Sequence, residues 1–136
     1  MHKVCVRLLS ICIAMSFLAG CATNIGQSTS LRFNSIQVLN LTNQDIFDLQ
    51  IEGSTLHRKF ACGVILHRSI CMNGFHARPL QESKVEISWR QGSSQRFYEV
   101  MELNMPETFR SDRVYSIQFV FEPSRQLSLS FVDTEA

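Results

Sequence analysis

"RVYSIQFVFEPSRQLSLSFV", residues 113–132, decides the fold. Tyr115, Ile117, Phe119 and Phe121 recur at every second position. A period of two puts them on one face of a strand, with Ser116, Gln118 and Val120 on the other. "EPSR" (122–125) combines a proline with polar residues, which stops a strand and reverses it. "QLSLSFV" (126–132) then alternates Leu127, Leu129 and Phe131 with serines. Each face pattern describes a sheet with one dry side and one wet side.

The same period runs outward through the chain. "KVEISWR" (84–90) aligns Val85, Ile87 and Trp89, "QGSS" (91–94) turns, and "QRFYEVMEL" (95–103) returns. Toward the N-terminus, "IFDLQIEG" (46–53) is expected to bury Phe47, Leu49 and Ile51. "TNQD" (42–45) would join it in a hairpin to "SIQVLNL" (35–41). "TLHRKFAC" (55–62) is a weaker strand, residues 63–80 show little strand character, and "NMPETFRSD" (104–112) is a loop. No stretch past residue 31 sustains an amphipathic helix beyond about two turns.

Seven short strands with turns between most of them predict an all-β domain over residues 31–136. The expected architecture is an antiparallel two-sheet sandwich of immunoglobulin-like style, with Trp89 filling its centre. A small barrel is the alternative. The 136 residues leave room for one such domain, and ten Phe supply an ample core. The formal charge is +1, and it becomes −1 once Lys3 and Arg7 of the first 20 residues are set aside. A near-neutral domain lacks the basic field that displaces counterions from phosphates, so no nucleic-acid partner is expected.

The first 20 residues read as an export signal. "MHKVCVR" is short and positive, and "LLSICIAMSFL" (8–18) is apolar but shorter than the roughly 20 residues of a permanent span. "LAGC" (Leu18, Ala19, Gly20, Cys21) ends the run and resembles the lipobox of bacterial lipoproteins. The resemblance implies cleavage before Cys21, a diacylglycerol on its sulfur and an acyl group on the new amino terminus. Two or more acyl chains hold a protein stably at a membrane. Ala22 in place of Asp implies the outer membrane, with the domain on its periplasmic face. "ATNIGQSTS" (22–30) is polar, uncharged and mostly small, a flexible tether spanning about 15–18 Å.

With Cys21 acylated, Cys62 and Cys71 are the remaining cysteines of the mature chain. In an oxidising compartment they are expected to form a structural disulfide. Closing a ten-residue loop contributes about 2.5–3 kcal/mol in the chain-entropy account. The histidines His57, His67 and His76 share that window and give a second reading, a periplasmic zinc or copper site. Their spacing matches no zinc-finger pattern, and a disulfide would remove the thiolates. It would equally disarm a Cys62–His67 catalytic pair.

No nucleophile elbow, phosphate-cradling glycine loop or paired helical histidines occur, and Glu82, Glu86, Glu99 and Glu102 form no recognisable acid–base pair. No enzymatic activity, cofactor or small-molecule substrate is therefore expected. Two aromatic–arginine neighbours, Phe75 with Arg78 and Phe109 with Arg110, are candidate interface anchors. The sequence thus points to an envelope lipoprotein whose sandwich binds or assembles with a protein partner.

Overall fold

A computed structural model of the chain describes residues 31–53, 59–80, 84–92 and 95–135. The export signal, Cys21, the tether and His57 lie outside the described residues. Eight strands appear in the order β1 (Arg32–Asn40), β2 (Ile46–Glu52), β3 (Phe60–Ile65), β4 (Ser69–Pro79), β5 (Lys84–Gln91), β6 (Arg96–Glu102), β7 (Val114–Phe121) and β8 (Leu127–Asp133). They form two four-stranded sheets, β4-β1-β7-β8 and β3-β2-β5-β6. The architecture is the expected two-sheet sandwich.

The alternating residues supply the core. Phe119 and Phe121 of β7 and Val85, Ile87 and Trp89 of β5 are all buried, together with Phe33, Ile36 and Val38 of β1. Trp89 meets Phe121 edge-on at 5.0 Å and stacks on Phe97 of β6 at 5.6 Å. Burial of such side chains contributes about 1.5–3 kcal/mol each relative to exposure.

Four expectations are corrected. The sheets are not wholly antiparallel, because β1 and β7 pair in parallel from Arg32↔Val114 to Asn40↔Phe121. Side-chain alternation is the same in either direction, so it carries no information on strand polarity. Segments 35–41 and 46–53 are not a hairpin, since β1 and β2 lie in different sheets. The loop between them is pinned by Asn40, which is fully buried. Its Nδ2 donates to the carbonyls of Gln44, Ile65 and Leu66 at 2.8, 3.0 and 3.2 Å. Its Oδ1 accepts from the backbone N–H and hydroxyl of Thr42 at 3.1 and 2.7 Å.

The third correction is in β2. Phe47 does not share the buried face with Leu49 and Ile51, and Ile46 takes its place. Asp48 has φ 49°, and the β2–β5 register shifts between Phe47 and Gln50. The extra residue rotates Phe47 outward, where the Arg90 guanidinium lies 6.0 Å from its ring and bonds Asp48. The fourth is β4, an eleven-residue strand where weak strand character was expected. Its sequence lacks alternation and contains Gly74 and Pro79, but β1 pairs with it from Ser69 to Pro79. Pairing overrides local preference there.

Candidate functional site

Cys62 of β3 and Cys71 of β4 are joined by a disulfide that ties one sheet to the other. Beyond it, toward the end where β1 begins, the two edge strands separate. The register of β4 on β1 explains the opening: a step of two residues along β1, from Phe33 to Ser35, is matched by a step of four along β4, from Arg78 to Gly74. The surplus residues bow β4 outward. A groove of about 510 Å³ results, lined by Ile36, Lys59, Phe60 and residues 73–78.

The floor is apolar. Ile36 and Phe60 belong to the core, and Phe75 is half-buried against it. The rim is polar, with Lys59, His76 and Arg78 and no carboxylate among the lining residues. The Arg78 guanidinium lies 4.7 Å from the Phe75 ring centroid, a cation–π contact. Lys59 is shared with Glu52 at 2.5 Å and Gln50 at 2.9 Å. Arg32 reaches the Ala77 carbonyl at 3.3 Å and secures the bowed strand to β1.

The candidate anchors separate into two environments. Phe75 and Arg78 line the groove. Phe109 is instead taken up by the molecule's own aromatic cluster, stacked on Tyr115 at 4.3 Å and edge-on to Phe131 at 5.6 Å. The Tyr115 hydroxyl accepts the Arg110 backbone N–H at 2.9 Å, which fixes that loop. The Arg110 guanidinium grips the Asp112 carboxylate with two bonds of 2.9 and 2.6 Å. That grip holds the Asp112 carboxyl below its ordinary 3.8 and pushes the guanidinium higher still.

Of the candidate histidines, the two among the described residues, His67 and His76, do not converge. His67 sits in the β3–β4 turn, where the Asp45 carboxylate accepts its backbone N–H at 2.8 Å and meets its Nδ1 at 3.2 Å. His76 lies far along β4, about 20 Å away at strand rise. Among the described residues no three His, Cys, Asp or Glu side chains form a metal-holding group.

Sequence reading missed the polar seam on the outer face of the β4-β1-β7-β8 sheet. Ser116 is fully buried there, bonded to Ser35 and accepting from Gln37 Nε2 at 3.1 Å. The seam continues through Gln118 to Ser130. Serines and glutamines on alternating positions were legible only as wetted strand surface; the cross-strand register is what assembles them.

Besides Leu41 and Val132, the exposed large hydrophobics among the described residues fall into two groups. Val64, Leu66, Ile70 and Met72 surround the β3–β4 turn, at the opposite end from Arg32, and Phe97, Tyr98 and Val100 stand on β6. No known protein family and no curated protein matches the chain. Among solved structures it is similar to one determined by NMR for a protein from Eubacterium rectale. That likeness has a TM-score of 0.47 and 6% identity, and it covers 71% of this chain and 85% of the other.

Proposed function

We propose that this protein is a lipid-anchored envelope lipoprotein whose sandwich is a non-enzymatic binding module, held at the periplasmic face of the outer membrane. The groove between β3 and β4 carries this reading. An apolar floor with Lys59 and Arg78 at its rim offers a pocket to a side chain of a partner protein. The inter-sheet disulfide supports an oxidising compartment. The lipobox at Cys21 supports the anchor, and the groove opens on the half of β1 that follows the tether. A partner would therefore meet the domain close to the bilayer.

Two measurements test the proposal. Cys21→Ala should shift the protein from the membrane fraction to the soluble one, and mass spectrometry of the wild type should find an acylated Cys21 as the first residue. A photo-crosslinking side chain at Ala77 should capture one envelope protein in intact cells, and Arg78→Glu should abolish the capture. A crosslinker at Ser124, at the other end of the sandwich, should not give that product. An unmodified thiol at Cys21 overturns the anchor. Capture that is insensitive to Arg78→Glu overturns the groove.

A further inference from the structure

We infer that β6 is a self-recognition strand, and that two copies of this chain associate by pairing their β6 strands antiparallel about a two-fold axis at Glu99. The strand ends its sheet, so one row of its backbone donors and acceptors has no ladder partner among the described residues. Edge strands that avoid association are short, bulged or covered with charge. On this molecule β4 is bulged, β3 has six residues, and β8 exposes Ser130 with Val132 as its one large outward apolar side chain. Like β8 on its neighbour, β6 pairs with β5 without a break, from Lys84↔Glu102 to Arg90↔Arg96, but it carries more exposed apolar surface. It displays Phe97, Tyr98 and Val100 at 38%, 62% and 51% exposure.

Its sequence, RFYEVME, complements its own reverse. Centred on Glu99, the antiparallel register sets Arg96 against Glu102, Phe97 against Met101 and Tyr98 against Val100. An isologous contact repeats each of these pairs twice. The faces agree as well. Phe97 and Met101 lie opposite the buried Trp89 and Val85, while Tyr98 and Val100 lie opposite the outward Ser88 and Glu86. One element opposes association: Glu99 meets its own copy, and like charges directly opposite weaken a strand pair. The dimer is accordingly weak, and Glu99 sets its strength. None of this depends on the groove or on the lipid anchor.

The test is cysteine crosslinking of the full-length chain in intact cells. Opposed Cα atoms on the two-fold axis lie about 4.5–5.5 Å apart, within disulfide reach. Glu99→Cys should therefore give a reducible dimer, and Ser130→Cys on the β8 edge should not. In the Glu99→Cys background, Arg96→Glu alone and Glu102→Arg alone should each lower the yield about tenfold, and the double exchange should restore it. The two positions lie about 20 Å apart within one strand, so restoration reports pairing between copies rather than within one. Sedimentation of the detergent-solubilised chain should show Glu99→Gln tightening the dimer about two- to fivefold. No dimer through position 99, equal yield through position 130, or a double exchange that fails to restore the yield would each overturn the inference.

Discussion

Asn40 is fully buried and bonds to three separate parts of the chain. Its amide joins the end of β1, the 41–45 loop and the β3–β4 turn, with every polar atom satisfied away from water. Asn40→Ala leaves buried carbonyls and the Thr42 donors without partners, and should cost about 2–4 kcal/mol in denaturant unfolding. Asn40→Asp should be no better, since a carboxylate has nothing to donate to three carbonyls. Trp89 presents the opposite case. It is buried, and its Nε1–H finds no acceptor among the described residues. Trp89→Phe therefore trades lost volume against relief of an unpaired donor and should cost less than about 1.5 kcal/mol, whereas Trp89→Ala should cost about 3–5 kcal/mol. At the surface, the His67 backbone N–H, and then its ring, hold the Asp45 carboxyl below 3.8. A carboxyl depressed by folding stabilises the fold above its unfolded pKa and loses that contribution as the pH falls through the folded value. An NMR titration should show the His67 amide shifting in that acidic range, and Asp45→Asn should abolish the transition.

Strand by strand, legibility in the sequence followed the regularity of the apolar alternation. β5 and β7 stand in the interior of their sheets with large apolar residues on alternate positions, so period and environment agree. β4 was illegible because it is an edge strand with only Cys71, Phe75 and Ala77 turned partly inward along its central stretch; backbone pairing with β1 makes it a strand. The outward turn of Phe47 was hidden for another reason. A single residue at positive φ reverses the face of what precedes it, and an Asp in a strand does not announce that. The groove shared both difficulties. Phe75 and Arg78 could be named as neighbours, but their placement beside Lys59 and Phe60 depends on a bulge and on a disulfide between sheets. Reducing that bond, or replacing both cysteines with Ala, should lower stability by about 2.5–3 kcal/mol, measured as a shift in the denaturant midpoint. Hydrogen exchange should show the loss concentrated at β3 and β4, with β5 and β7 changing only through global unfolding.

For the molecule as a whole, the pairing of β1 with β7 fixes the order in which the domain completes itself. A chain that emerges N-terminus first delivers β1 roughly 80 residues before its parallel neighbour. Such separation raises the contact order and places this fold among those that mature in milliseconds to seconds rather than microseconds. The β2-β5-β6 ladders, made of nearer neighbours, are free to form while β1 still lacks half of its hydrogen bonds. Truncation within β7 should therefore forfeit cooperative unfolding altogether rather than trim a terminus. Until its last quarter has arrived, the polypeptide carries an unsatisfied first strand, and this is the interval in which a holding chaperone has something to hold.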